Sequence, residues 1–365
     1  MTEHINSSGG SDSSLPESEI DLGTNVTSHD VARLAGVSQS TVSRVLCDDT
    51  KVRPATRERV LRVLAQTRYV PNAAARAFRT SRSDSIGVVV ARLSYQLYPM
   101  ILETIGAQLV SLEQRMIVWD GDHGGDLQAA QALRQGVVDG VILTAATGES
   151  EFLKDVAPSQ APVVLVNRNV DDYPADQVSS DNTEGGRRVA QYLLQAGRKR
   201  IALIGGLQRA STIRDRERGF REGLRHEGVD VPPHLYARSD TFTHASGRDA
   251  SVRLLQSASP PDAIFCVNDV LAAGAIDGAR FCNVNVPDDV WVIGYDDIEL
   301  ASWGAYNLTT VRQPMAEMVA YAVDLLLAKI KDNSKPPEYK SFPNELVIRA
   351  STDRHPFLDQ GDRQT

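Results

Sequence analysis

The chain is poor in several features that mark whole classes of protein. Its 365 residues include three cysteines, Cys47, Cys266 and Cys282, with no C-x-x-C spacing. That argues against a disulfide framework or a zinc site and leaves buried or incidental thiols in a reducing compartment as the expectation. No apolar run approaches the ~18 residues of a membrane span, and the N-terminus lacks the basic-then-apolar pattern of a secretory signal. The expected location is the cytoplasm, with no membrane partner. There is no G-x-G-x-x-G after the first strand-like run, no G-x-x-x-x-G-K-[ST] phosphate loop and no H-E-x-x-H. The histidines, His226, His234 and His244 among them, have no nucleophile beside them and are expected to be solvated. No catalytic residue, metal or cofactor is therefore expected, and the chain does not read as an enzyme.

An excess of positive charge is also missing: 39 Lys+Arg stand against 47 Asp+Glu, a net charge of −8. A protein that coats nucleic acid with its whole surface would be basic, but the charge is unevenly placed. Residues 1–25 carry five acids and no Lys or Arg. Residues 26–82 carry eleven basic residues against four acids, a local charge of +7, and 83–365 carry −10. One basic block inside an acidic chain points to a nucleic-acid module joined to something with no need of polyanions. At about 100–200 residues per domain, the length predicts two or three domains.

Residues 1–25, rich in Ser, Gly, Asp and Glu, have too little apolar content to offset the entropy of ordering and read as a disordered acidic tail. In 26–70, Ser28 is expected to cap a short helix carrying Val31, Ala32, Leu34 and Ala35, which Gly36 stops. Ser38 caps a second helix, Gln39 to Leu46, with Val42, Val45 and Leu46 inward and Gln39, Ser40, Ser43 and Arg44 outward. A third runs from about Pro54 to Thr67 with Val60, Leu61, Val63 and Leu64 on its buried side. Two short helices across a Gly-Val-Ser turn predict a helix-turn-helix whose second helix enters the major groove.

Residues 71–82 form a linker in which Asn72 to Arg79 makes barely two helical turns, too short to be stable alone, so a conditional hinge helix is expected. From Ile86 the pattern is α/β. Strand-like runs at Ile86–Ala91, Met116–Trp119, Gly140–Leu143, Val163–Asn167, Arg200–Ile204, Ala263–Val267 and Val290–Gly294 alternate with helical stretches such as Tyr98–Glu113, Asp126–Gln135 and Glu184–Gln195. Such alternation predicts doubly wound parallel sheets, here in two lobes, with a ligand outside the carboxyl ends of the strands. The expected core covers 83–352, with lobe 1 at about 84–182 plus 313–342 and lobe 2 at about 183–312 plus 343–352, and a short polar tail follows at 353–365.

The segment from Val26 through Gly36-Val37-Ser38 to Leu46 resembles the N-terminal signature of the LacI/GalR family of bacterial transcription regulators. The resemblance continues through Tyr69-Val70-Pro71-Asn72, Asp181-Asn182, Arg216-Glu217-Arg218-Gly219-Phe220, Asn268-Asp269, Gly294-Tyr295-Asp296-Asp297 and Leu308-Thr309-Thr310, and spans roughly 26–352. It implies a helix-turn-helix head, a hinge helix and a two-lobed core like that of periplasmic binding proteins.

At the DNA, the resemblance implies that Gln39 and Ser40 choose operator bases and that Arg44 reaches a guanine edge. Arg suits guanine O6 and N7, and Gln suits adenine. Thr27, Thr41 and Ser43 match phosphate-positioning residues, and Asn72 and Ala75 fall in the DNA-binding linker. Phe78 stands where the family usually has Leu as a minor-groove wedge, and an apolar side chain serves there because it displaces base stacking without demanding hydrogen bonds. Cys47 stands where the family commonly has Asn, so no phosphate contact is assigned to it. A homodimer, or a larger assembly, on near-palindromic operator DNA follows.

For the effector, Asp296, Asn268 and Arg216 match polar ligand-gripping groups and Phe242 matches a stacking aromatic. Asn167 sits at a strand end, Leu97 and Tyr98 fall in the first strand-to-helix loop, and Trp303 is either a second stacking face or ordinary packing. The competing reading of Asp296 and Arg216 is a paired structural bridge. Carboxylate, amide and guanidinium beside an aromatic suit a neutral, hydroxyl-rich ring, so a sugar is favoured over a purine-like ligand. The expected function is a ligand-switched repressor. Regulation by a phosphoprotein partner is the near alternative, and a solute-binding protein is the remote one.

Overall fold

The computed structural model describes residues 26–47, 49–67, 69, 82–157 and 161–352. The expected acidic tail, the linker residues Asn72, Ala75 and Phe78, and the C-terminal tail lie outside them. The chain divides into two compact units, Met1–Arg79 and Thr80–Thr365.

In the first unit, α1 spans Ser28–Ala35, α2 Gln39–Leu46 and α3 Pro54–Thr67. The cap of α1 is Thr27 and not Ser28, which is the first helical residue. The Thr27 hydroxyl accepts from the Asp30 backbone N–H, and the Asp30 carboxylate accepts in return from the Thr27 backbone N–H, a reciprocal box that satisfies two helix-end donors. Gly36 closes the helix at φ +59, where any Cβ is strained. Ser38 caps α2 by accepting from Thr41 N–H at 3.2 Å. Val31, Ala32, Ala35, Val42, Val45 and Val60 form the core. Leu61, expected inside, is half exposed, and Leu34 is also exposed. On α3 Val60 is fully buried and Val63 and Leu64 pack against the core partly buried, while Leu61 falls off that face.

The second unit contains two sheets. The first is built from β1 (Ser85–Val90), β2 (Arg115–Asp120), β3 (Gly140–Leu143), β4 (Val163–Val166), β5 (Asp176–Ser180) and β11 (Tyr339–Phe342), in the order β11-β5-β4-β3-β1-β2, all parallel. The second holds β6 (Ile201–Gly205), β7 (Tyr236–Arg238), β8 (Ala263–Cys266), β9 (Trp291–Asp296), β10 (Thr309–Arg312) and β12 (Glu345–Val347), in the order β12-β10-β9-β8-β6-β7. Only the β10–β12 pair is antiparallel. Helices cover the faces, so strands such as β1 and β6 are buried throughout and read as unbroken apolar runs.

Strand β5 reads Asp-Gln-Val-Ser-Ser and is nonetheless fully buried. Most of its polar groups are paired: Gln177 accepts from Val170 N–H at 2.8 Å and donates to Val170 and Tyr173 carbonyls, and Ser180 donates to Gln313 at 2.7 Å, while Asp176 Oδ2 has no hydrogen bond and lies 3.8 Å from Lys329 Nζ. The chain crosses between the sheets three times, after β5, after β10 and between β11 and β12.

Helices α4 (Asn182–Gln195) and α5 (Ser211–His226) pack closely because Gly186 has no side chain. A Cβ there would lie 2.2 Å from the Arg216 carbonyl oxygen, a backbone atom that cannot swing away. Gly186→Ala should therefore destabilise the full chain by about 1–3 kcal/mol in urea unfolding. Gly148→Ala, with nothing within 4 Å of its Cβ, should change stability by no more than about 0.5 kcal/mol. Equal effects of the two would contradict the close-contact account.

Candidate functional site

On the first unit, Gln39, Ser40 and Arg44 stand exposed on α2, and Thr41 and Ser43 are half-buried beside them. The Gln39 amide donates to Ser28 Oγ at 2.9 Å, and Arg44 lies 3.9 Å from Asp49, a loose and exposed pairing. Thr27 is exposed, with its hydroxyl donating to Asp30 at 2.6 Å. The base-facing candidates thus share one surface, while the three expected in the linker, Asn72, Ala75 and Phe78, lie outside the described residues.

In the second unit a cavity of about 120 Å³ opens between the carboxyl ends of both sheets. Its walls follow β1 (Tyr95, Leu97, Tyr98), β4 (Asn167, Arg168), β6 (Ile213, Arg216), β7 (Phe242), β8 (Asn268) and β9 (Asp296). Parallel strands end there with free N–H groups and helix N-termini turned outward, which is why such sheets bind ligands at that edge. Seven of the eight effector candidates line this cavity. Trp303 does not. It follows a short 3₁₀ turn at Glu299–Ser302 whose hydrogen bonds carry it away from the cleft, and it is 46% exposed. Trp291 stacks on Tyr192 at 5.5 Å under the Arg198 guanidinium and packs against the second-sheet core.

The floor of the cavity is an ion pair. Arg216 Nη2 lies 2.8 Å from Asp296 Oδ1, and both side chains are almost fully buried. The remaining guanidinium donors are also used: Nε donates to Asn182 Oδ1 and Nη1 to the Val267 carbonyl, each at 2.8 Å, and the group lies 3.7 Å over the Tyr295 ring. Asp296 additionally accepts from Gln313 Nε2 at 2.7 Å and from the Tyr95 hydroxyl. Burial pushes the Asp296 carboxyl above its ordinary range, opposed by Arg216 and the Tyr95 hydroxyl. The two residues are therefore both a structural bridge and part of the cavity lining. Asp296 and Asn167 sit at φ +113 and +74, conformations that Asn and Asp tolerate better than bulky residues and that recur where a site over-determines its backbone.

Around this floor, Asn268 caps α6 (Asp269–Phe281) by accepting from Leu271 N–H at 2.9 Å. Phe242 is half-buried and Tyr98 buried, which provides apolar faces on opposite lobes. Tyr95, Gln313 and Asn182 were missed from the sequence alone. Asn182 lay in a motif already noted, but nothing in spacing indicated that it would hold Arg216. Among the described residues no group of His, Cys, Asp and Glu is placed to hold a metal, and no helix is long and apolar enough to cross a membrane. The cysteines form no disulfide: Cys47 is exposed, Cys282 partly buried and Cys266 buried.

Comparison with known proteins matches this division of the chain. Residues 27–72 match the domain family described as bacterial regulatory proteins, lacI family, and residues 190–352 match a periplasmic binding protein-like domain. Over 333 residues the chain is 33% identical to the HTH-type transcriptional regulator DegA of Bacillus subtilis (strain 168), covering 89% of this chain and 98% of that protein. It superposes on the transcriptional regulator CelR in its complex with cellobiose with a TM-score of 0.69 and 31% identity, over 89% of this chain and 99% of the other. With the Lac repressor dimer bound to operator and the anti-inducer ONPF the TM-score is 0.80 at 26% identity, over 90% and 99%. The chain belongs to the LacI family of bacterial regulatory proteins and is a DNA-binding transcriptional regulator.

Proposed function

We propose that this regulator is a cytoplasmic repressor that holds a near-palindromic operator as a homodimer and is released or tightened by a sugar in the inter-lobe cavity. The observation that carries the DNA half is the exposed Gln39, Ser40 and Arg44 on one face of α2, inside a segment of charge +7. Among the described residues Arg44 makes only the loose 3.9 Å pairing with Asp49, which leaves its guanidinium suited to two parallel bonds to guanine, and Thr27, Thr41 and Ser43 are suited to phosphate oxygens. A second copy of the chain is consistent with the large apolar side chains left on the surface, Val110 and Phe281 above all, which are 76% and 71% exposed.

The sugar half rests on the wall chemistry. Polar groups on the cavity floor and an aromatic on each side provide hydrogen bonds around a ring edge and apolar platforms for its faces. The relative solved with cellobiose supports a carbohydrate over a nucleobase. Asn182 and Gln313 belong to two of the three crossovers and bind the floor directly, while Asn344, in the third, donates to Tyr295 Oη at 2.7 Å. A ligand that engages the floor therefore alters the bonds that set one lobe against the other, and lobe orientation is the variable that reaches the DNA-binding head.

Two outcomes test this reading. Arg44→Ala should weaken operator binding by about 1–3 kcal/mol and relax selection at one base pair per half-site, measured by competition against random duplex. Equal losses on both duplexes would contradict base reading. Phe242→Leu, at a half-buried site whose loss leaves the floor intact, should bind the operator as the wild type does and weaken sugar binding about two- to tenfold through loss of the stacking face. Unchanged sugar affinity would exclude Phe242 from the site.

A further inference from the structure

Four guanidinium groups line the cavity, and three have a carboxylate. Arg216 is bound to Asp296 at 2.8 Å, Arg92 faces Asp122 at 3.9 Å and Arg209 faces Glu149 at 3.6 Å. The fourth, Arg168, has no carboxylate within 4.0 Å among the described residues; its Nη1 donates to the Ala145 carbonyl at 3.0 Å, and its Nε is buried with no hydrogen-bond partner. The preceding residue is the neutral Asn167, 2% exposed, whose Oδ1 is likewise buried and without a partner although its Nδ2 donates to Thr144 O at 3.2 Å. Two consecutive residues at the end of β4, both lining the cavity, thus carry one unpaired cationic donor and one unpaired acceptor. Buried polar groups are nearly always satisfied, and such a pair is complemented by an anion adjoining a hydroxyl.

The position of Arg168 adds a second constraint. It lines the 120 Å³ cavity and also an adjoining chamber of about 420 Å³ on the first lobe, whose walls include Gly121, Asp126 and Phe152. A ring held between Phe242 and Tyr98 would therefore meet Arg168 at the boundary of the two spaces, where a substituent of the ring would project.

We propose that the effector is an anionic sugar whose carboxylate or phosphate is received by Arg168 while a neighbouring hydroxyl donates to Asn167 Oδ1. This rests on the sugar-cleft reading above and narrows it. A neutral sugar can satisfy Asn167 but leaves the partly exposed guanidinium without a counter-charge. An anionic one satisfies both, with the planar fork of Arg suited to two parallel bonds.

The test titrates the full-length protein with glucose and galactose, their uronates, and their 6-phosphates, read by calorimetry and by melting-temperature shift. At least one anionic derivative should bind about tenfold or more tightly than its neutral parent, and the carboxylate and phosphate arms show which anion is taken. Arg168→Gln should bring parent and derivative to within about twofold of each other, and Arg168→Lys should keep part of the preference. The comparison of parent with derivative is made on the wild type and stands even where the Gln variant fails to fold. Neutral parents that bind as tightly as their derivatives, or an Arg168→Gln variant that weakens both equally, overturn the anionic assignment and leave the sugar-cleft reading intact. Binding of none of the six to the wild type overturns both.

Discussion

The buried ion pair between Arg216 and Asp296 is the contact on which the two-lobed core depends. Withdrawing two charges from water costs several kcal/mol per ion, and the attraction between them offsets this only when the remaining donors and acceptors are satisfied. Here Asn182 and the Val267 carbonyl take the other guanidinium nitrogens, and Gln313 and Tyr95 take the carboxylate. Those partners are not drawn from one element. Asn182 and Gln313 lie in two chain crossovers, Tyr95 belongs to the other lobe, and Asn344 in the third crossover reaches Tyr295 beneath the guanidinium. Removal of the Asp296 carboxylate would leave an uncompensated buried cation, at a cost of about 3–5 kcal/mol. The pair therefore serves as hub of the hinge and floor of the cavity at once.

The uneven distribution of charge is the sequence counterpart of this architecture. A chain with net charge −8 places +7 in 26–82 and −10 in 83–365. The first value supports attraction to phosphate and the second opposes it, so a polyanion is directed to the head. On the proposed reading the core is then left to a smaller ligand whose recognition depends on shape and on a few buried polar atoms.

Much of this was legible in the sequence because it is local. Ser38 capping α2, Gly36 in the left-handed turn and the apolar runs of β1, β3, β4 and β8 are set by residues within a few positions of each other. Of the seven cavity residues, Asp296, Asn268, Arg216 and Phe242 were named through the resemblance to the LacI/GalR family, Asn167 as a strand end, and Leu97 and Tyr98 as part of the first strand-to-helix loop. What was not legible depends on distant partners. Strand β5 is polar, and the bond of Ser180 to Gln313, across 133 positions, is one that spacing does not reveal. Tyr95 reaches Asp296 across 201 positions. Leu61 falls off the buried face of α3, and Trp303 is turned out by a 3₁₀ turn that spacing does not reveal. Arg168 was visible as a residue, but its missing counter-charge is a property of the folded wall.

On the proposed reading, occupancy of the cavity and binding of the operator share one conformational equilibrium through the hub formed by Arg216 and Asp296. Linkage requires that a sugar change operator affinity by the same factor as operator changes sugar affinity. The decisive measurement is the sugar dissociation constant with and without saturating operator duplex, and the operator dissociation constant with and without saturating sugar, for the wild type and for Gln313→Leu. The account predicts equal, non-unit factors in the wild type and a factor closer to one in the variant. Tight binding of both partners with no mutual effect, or an undiminished factor in Gln313→Leu, would contradict it.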